Sequence, residues 1–450
     1  MTVSVPVQTA SHFPSDAEIR RILAERIDEQ RQSLGIVVGT FGPDGRHIVS
    51  HGNFGAYYAR PVDADTGFEI GSITKVFTAL ALAEMAGRGE VGLDDPVAMY
   101  LPATVHMPRR NGREITLIDL ATHTSALPRL PGNLAPDDVD NPYADYSVDQ
   151  MYAFLSAYEL PRDIGSQYEY SNLGMGLLGH ALSRRAGLSY GALVRERILS
   201  PLNMRSTADT SAVYMKSRLA NGHDAKLMPV LNWDLPTLAG AGALLSTPDD
   251  MVNFIEMLVG ARSSPLEAAL ATTLSIRRPI GAEGDETGLG WVISGSGDGQ
   301  IVWHNGGTGG YRAFLGFMPA KGVGVVALSN TATEIGVDDI GRHLLDGRNP
   351  LAEPPRERVA VTLDPATYDR YVGDYPLSPD FVLSITRHGN GLAVQATGQS
   401  RVEILPESET SFFCTAVNAQ ITFDVDSRGQ AKGLTLHQNG VDQPAMRVDE

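Results

Sequence analysis

Two blocks of β-forming sequence stand far apart in the chain, and they constrain the fold more than any other feature. LGIVVGTF and RHIVSHGNFG, residues 34–41 and 46–55, are joined by a Pro43-Asp44-Gly45 turn and read as a hairpin. TGLGWVISG, GQIVWHNGG, GYRAFLGFMP and GVGVVALSN, between residues 287 and 330, read as an antiparallel meander of short strands. From Leu93 to about Gly260 the pattern is mainly helical, broken by long loops such as Pro128 to Ser147. Ahead of the hairpin, SDAEIRRILAERIDEQR places Ile19, Ile22, Leu23 and Ile27 on one face behind a Ser or Asp cap, the pattern of an amphipathic helix. The hairpin and the later meander are expected to share one sheet, which makes the chain an α/β (α+β) protein with a helical subdomain.

A chain of 450 residues is too long for one ordinary domain. GRNPLAEPPRER, residues 347–358, concentrates proline, arginine and glutamate and reads as a linker. Beyond it, alternating runs (FVLSITRHG, GLAVQAT, RVEILP, SFFCTAV, QITFDVD, KGLTLHQNG, PAMRV) are separated by turn residues. Such spacing suggests a small, nearly closed β-barrel. The expected organisation is therefore a first domain over 1–346, a linker over 347–358 and a barrel over 359–450.

A formal net charge of −17 repels phosphate backbones and anionic lipid, so a small-molecule or peptide substrate is expected rather than nucleic acid or a membrane. The single cysteine, Cys414, has no partner for an internal disulfide and reads as a small residue of a buried strand. The N-terminal segment MTVSVPVQTASHFPSDAE lacks the basic and apolar regions of an export signal, which points to a cytoplasmic location unless a leader was trimmed.

Three elements carry chemistry. In GSITKVFTALALAEMAGRG, Ser72 stands next to the start of an apolar helix, with Lys75 three residues on. Residues so spaced are neighbours on a helix, so the amine can reach the hydroxyl. A serine is a weak nucleophile until a base takes its proton, and a desolvated lysine serves as one. S-x-x-K is a motif of penicillin-binding enzymes, although alone it also describes a capping serine followed by a surface lysine. Tyr170-Ser171-Asn172 lies in a loop at a second helix start, where a phenol relays protons and an amide holds substrate or lysine; a packed aromatic and a helix cap is the plainer alternative. Trp303 to Tyr311 (WHNGGTGGY) ends one strand and begins the next. Its glycines permit close approach of a substrate, His304 could read or protonate that substrate, and a backbone N–H could join that of Ser72 around an oxyanion.

Together these elements resemble the serine β-lactamase and penicillin-binding-protein superfamily: class C β-lactamases, DD-peptidases, family VIII esterases and D-aminopeptidases. Their order is S-x-x-K, then Y-x-N, then K-T-G or H-x-G, met here at Ser72 to Lys75, Tyr170 to Asn172 and His304 to Gly306. ITLIDLATHTSALP, ILSPLNMRSTADT and AGAGALLSTPDDMVNFIEML are similar to further family segments, so the likeness spans about residues 15–335. LDPATYDRYVGDYPL resembles the start of the lipocalin-like domain appended to some D-aminopeptidases, serving as a packing module, a shaper of the cleft or a contact between copies in a homo-oligomer.

The resemblance implies a serine hydrolase without metal or cofactor. Ser72 would be acylated, Lys75 and Tyr170 would share the acid and base work, and Asn172 would position both substrate and lysine. Gly306 and His304 would meet substrate, and the N–H groups of Ser72 and Gly307 would form the oxyanion hole. Which of Lys75 and Tyr170 takes the serine proton depends on coupled titration and stays open.

His304 stands where β-lactamases of this pattern carry lysine, which favours ester or peptide hydrolysis over β-lactam resistance. A penicillin-binding protein that turns over little, or an acyltransferase, is the alternative. Ala126 and Asn203 replace family glycines and touch only loop geometry. Gly187-Leu188-Ser189-Tyr190-Gly191 matches the G-x-S-x-G elbow but follows a helix rather than a strand, so Gly187 reads as a C-cap and Ser189 as an N-cap. Gly174 to Gly179 matches G-x-G-x-x-G without a preceding strand and reads as helix packing. Histidines such as His123, His180 and His343 lack metal-ligand spacing.

Overall fold

The computed structural model describes residues 11–281, 284–354, 358–378, 381–399, 401–414, 417, 419–438 and 441–448. The N-terminal ten residues weighed above for an export signal lie outside them. The chain divides after Pro354 into two compact units.

In the first unit, nine antiparallel strands form the expected shared sheet. They are β1 (Gly35–Gly42), β2 (Gly45–Gly55), β3 (Tyr58–Pro61), β4 (Arg278–Ile280), β5 (Asp285–Thr287), β6 (Val292–Ser294), β7 (Ile301–Gly307), β8 (Arg312–Met318) and β9 (Val323–Ser329). Their order in space is β3-β2-β1-β9-β8-β7-β6-β5-β4. The hairpin joins the meander where Ile36 pairs with Ser329 and Phe41 with Gly324.

Six helices position the site: α1 (Asp16–Ala24), α2 (Thr74–Gly87), α3 (Asn172–Ala186), α4 (Ala239–Gly242), α5 (Pro248–Leu258) and α6 (Asp338–Leu345). Because strand side chains alternate, the central strands feed two cores. Ile36, Val38, Val325 and Ala327 pack with Ile19, Ile22 and Leu23 of α1 and with Ile340 and Leu344 of α6. Val37, Val326 and Leu328 point the other way, into a larger core shared with α2 and α5. Each such side chain, fully buried, contributes about 1.5–3 kcal/mol. Ser15 caps α1 by accepting the N–H of Glu18, as its sequence suggested.

The sequence decoys resolve as packing devices. Gly187 ends α3 with φ +69°, and the Ser189 hydroxyl accepts the Ala192 N–H at the next helix start. A Cβ at Gly176 would lie 2.6 Å from Leu238, and one at Gly179 would lie 2.8 Å from the Cα of Gly240, so these glycines let α4 lie directly against α3. Ala126 and Asn203, standing where glycine was expected, both keep the left-handed backbone, with φ +62° and +59°.

Within 347–358, Asn349 donates to the carbonyls of Arg342 and Asp346, and the Ala352 N–H donates to Asp339. These residues are thus tied to the first unit. The second unit is an eight-stranded antiparallel sheet in chain order, from Gly373–Ser378 to Val441–Met446. It is nearly closed by the Val448 N–H donating to the Asp374 carbonyl at 2.9 Å. Its core is aromatic: Tyr371 stacks on Phe423 at 4.4 Å, and Tyr375 and Phe412 meet the same ring edge-on. Cys414 ends the strand Ser411–Cys414 half-buried rather than deep in the core, and burial pushes its thiol up to about 11.

Candidate active site

The nucleophile turn begins in a two-residue strand, Phe68–Glu69, paired with Leu244–Ser246. Gly71 then takes φ +49°, and a Cβ there would lie 2.7 Å from the backbone N of Gly307, so both conformation and space require glycine. A 3-10 turn, Gly71–Ile73, delivers Ser72 ahead of α2. Lys75, on the first turn of that helix, is fully buried. Its Nζ lies 2.8 Å from Ser72 Oγ and donates to the Ala241 carbonyl at 2.7 Å. That carbonyl comes from α4, brought close by the glycines of α3. Burial pushes the Lys75 amine well below 10.5, and the charge of Arg129 adds to the effect. Burial thus favours the neutral amine, whose lone pair can receive the Ser72 proton across the same contact.

Tyr170 reaches Ser72 from another side. Its hydroxyl is hydrogen-bonded to the Ser72 side chain, and its ring centroid lies 4.8 Å from Lys75 Nζ. Burial drives the phenol far above 10, outweighing the bond to Ser72, so it keeps its proton at neutral pH. His123 braces this residue: it accepts the Ser171 N–H on Nδ1 at 3.0 Å and the Glu169 N–H on its carbonyl at 2.8 Å, and its ring lies 4.6 Å from that of Tyr170. Burial holds His123 neutral, which its accepting nitrogen requires.

Ser171, not Asn172, caps α3; its hydroxyl accepts the Gly174 N–H and donates to the Pro128 carbonyl. The Asn172 amide is bonded to the Tyr143 hydroxyl, and its Oδ1 is buried without a partner. Lys75 is therefore steadied by Ala241 and not by Asn172, a residue that lines the cleft beside Ser72.

The opposite wall is the end of β7. A Cβ on Gly306 would lie 2.0 Å from the Ile70 carbonyl oxygen and 3.2 Å from the Ser72 N, so bare backbone rests on the nucleophile turn. Arg312 fixes the adjoining turn by donating to the carbonyls of Thr308, Tyr311, Ala332 and Thr333.

His304 differs from expectation. It is 4% exposed, its Nδ1–H donates to the Asn305 carbonyl at 2.6 Å, and burial followed by the nearness of Lys75 pushes its pKa down to about 3. The imidazole is neutral and packed towards Tyr170, while Asn305, Gly306, Gly307 and Thr308 line the cleft at this strand. Strand alternation turns residue 304 inwards, so it cannot grip a substrate carboxylate as a charged group.

The cleft has two chambers that share Ser72, Trp233, Gly307 and Thr308. One is small and largely apolar, with Tyr143, Asn172, Leu235, Leu238 and Ala241 in its walls. The other is wider and polar, with Arg129, Tyr170, Asn305, Arg312, Glu334 and Asp338. Trp233 is held by Glu69, whose Oε1 accepts the Trp233 N–H at 3.1 Å and the Asn232 amide at 2.8 Å. Burial raises the Glu69 carboxyl to about 7. Sequence reasoning found neither Arg129, Trp233 nor Glu69; the available signal was that Glu69 precedes Ser72 by one turn and Arg129 follows the HTSALP segment.

Residues 19–347 match the Beta-lactamase family, to which this chain belongs: it is a serine hydrolase of that family. Residues 357–449 match a domain of unknown function, DUF3471. The chain is 32% identical over 313 residues to the D-alanyl-D-alanine-carboxypeptidase/endopeptidase AmpH of Escherichia coli (strain K12), covering 64% of this chain and 79% of that one. It is 28% identical over 455 residues to Penicillin-binding protein 4* of Bacillus subtilis (strain 168), covering 95% and 97%. Among solved structures, a β-lactamase/D-alanine carboxypeptidase from Yersinia pestis aligns with a TM-score of 0.64 and 27% identity over 75% of this chain and 97% of that one.

Proposed function

We propose that the protein cleaves ester, amide or peptide bonds through an acyl-enzyme on Ser72, with short acyl esters and D-amino-acid-containing peptides as its substrate classes. The observation that carries this reading is the fully buried Lys75 amine, pushed well below its usual range, 2.8 Å from the Ser72 hydroxyl. Ser72 Oγ attacks the carbonyl carbon as its proton passes to Lys75. The developing oxyanion is received by the N–H groups of Ser72 and Gly307. The bond to the leaving group breaks, and that group takes a proton through the Tyr170 phenol, which is replenished from Lys75. Water then attacks the acyl-enzyme by the reverse relay, releasing the acid and restoring Ser72. The unpartnered Asn172 Oδ1 is suited to accept an N–H from the acyl half. The peptide class draws support from the D-alanyl-D-alanine carboxypeptidase name of the E. coli relative. The neutral His304 weighs against dedicated β-lactam turnover.

Mass spectrometry after incubation with a fluorophosphonate or a penicillin is expected to show one adduct, on Ser72. Ser72→Ala is expected to abolish turnover across p-nitrophenyl acetate, D-Ala-p-nitroanilide, a D-Ala-D-Ala peptide and nitrocefin. An unlabelled Ser72 would overturn the reading.

A further inference from the structure

We propose that Glu69 is a positioning residue that sets which acyl groups the enzyme accepts. It ties the Trp233 segment and the Thr308 turn to the strand leading into Ser72, and its charge state decides how tightly they close the acyl chamber. The inference rests on the acyl-enzyme reading at Ser72 and adds a specificity determinant to it.

Glu69 stands three residues before Ser72 and is buried, 3% exposed. Its backbone is fixed by the pairing of Phe68–Glu69 with Leu244–Ser246. Its Oε1 accepts the Asn232 amide at 2.8 Å and the Trp233 N–H at 3.1 Å, and the same Asn232 amide reaches the Tyr311 hydroxyl at 3.0 Å. The other oxygen, Oε2, is buried and closes no hydrogen bond among the described residues. The buried Thr308 hydroxyl beside it is in the same state, near enough to favour the ionised carboxyl without completing a bond. A Cβ on Gly309 would lie 2.8 Å from Trp233 Nε1, so the turn after β7 packs directly on that indole. One carboxyl thus stands where the nucleophile strand, the Trp233 segment and the Thr308 turn meet.

Those two neighbours shape the cleft. Trp233 and Thr308 line both chambers, and the smaller chamber, bordered by Asn172, is the place for the acyl half. At about 30 Å³ it has room for one or two water-sized groups. A slight retreat of its wall therefore decides between an acetyl group and a longer chain. An ionised Glu69 holds its N–H donors by charge-assisted bonds and draws in the Thr308 hydroxyl as a third donor; a protonated one binds all three less strongly. Burial, helped by the charge of Asp234, raises this carboxyl to about 7, so both states are reached near neutrality. Of the groups facing it, Asp234 lies on the Trp233 segment, and the Tyr311 phenol is held protonated by burial. The paired strand Leu244–Ser246 and the 307–310 turn carry no titratable side chain.

The test compares two esters with the same leaving group, p-nitrophenyl acetate and p-nitrophenyl hexanoate, from about pH 5 to about pH 9. The readout is the ratio of their kcat/KM values, in which the titrations of Lys75 and Tyr170, common to both substrates, cancel. In the wild type the preference for acetate is expected to rise roughly three- to tenfold with pH. Its midpoint should fall at about 7. Glu69→Gln, whose amide never ionises, should keep one ratio at every pH. Asn232→Ala, at an exposed position, removes a bond that favours the ionised carboxyl and should move the midpoint upwards. A purely structural role for Glu69 produces no such shift. With Ser72 labelled by a fluorophosphonate, a flat wild-type ratio, or a slope that Glu69→Gln leaves in place, overturns the Glu69 assignment alone. If Glu69→Gln does not fold, the midpoints of the wild type and Asn232→Ala decide, and coincident midpoints overturn the assignment. Absence of both labelling and turnover overturns the acyl-enzyme reading and this inference with it.

Discussion

The two walls of the cleft are made of different material. On the helical side, function resides in side chains at helix starts, Ser72 and Lys75 by α2 and Tyr170 and Asn172 by α3, with the amine and the phenol buried enough for their titration to be displaced. On the strand side, Gly306 and Gly307 offer backbone alone, and Gly306 is seated on Ile70 so closely that no Cβ fits there. The first wall is vulnerable to a change of functional group at constant shape. The second is vulnerable to a change of shape with no functional group involved.

Three substitutions separate these vulnerabilities. Lys75→Ala should have the largest effect, a fall in kcat on the order of 10³-fold, because it removes the proton acceptor. Steady-state kinetics with p-nitrophenyl acetate reads this, and near-normal kcat would mean that the helical wall does not supply the base. Gly306→Ala adds one methyl where 2.0 Å separates its carbon from the Ile70 oxygen. It should cost about 10²-fold in kcat by spreading the donors around the oxyanion. If kcat and thermal stability were both unchanged, the close seating of the strand wall would be refuted.

The smallest effect concerns Glu69, which supports Trp233 between the two chambers. Its carboxyl is raised from 4.5 to about 7 by burial, so the folded state binds the proton more tightly than the unfolded one. Its contribution is therefore fully present below pH 4.5 and is lost as pH rises to about 7, an amount of about 3 kcal/mol. Glu69→Gln should flatten the fall in melting temperature across that window while keeping the bonds to Oε1. Calorimetry from pH 4.5 to 8 checks this, and parallel curves would show that Glu69 is not the titrating group.

Features encoded locally were legible in the sequence. Ser72 and Lys75 are three residues apart, and Tyr170 to Asn172 are contiguous, so helix geometry alone predicts their mutual access. The shared sheet followed from two β-rich blocks, and the decoys at Gly187 and Ser189 were recognised because a helix preceded them. Features that depend on distant partners were not legible. His304 reads as a substrate contact in a glycine-rich turn, but its inward direction is set by the register of β7 against β8, where it pairs with Leu315. His123 braces Tyr170 from 47 positions away, and Glu69 meets Asn232 and Trp233 across more than 160. The barrel strand Gly373–Ser378 escaped because Pro376 interrupts its pattern.

The carbonyl of Ala241 reaches Lys75 through the seam where Gly176 and Gly179 meet Leu238 and Gly240. One extra carbon at that seam, away from the reacting atoms, would lift the carbonyl off the amine and retune its basicity. Catalytic proficiency is thereby mortgaged to the thinness of a helix-to-helix joint, and lesions there would register as altered pH–rate profiles before they registered as unfolding.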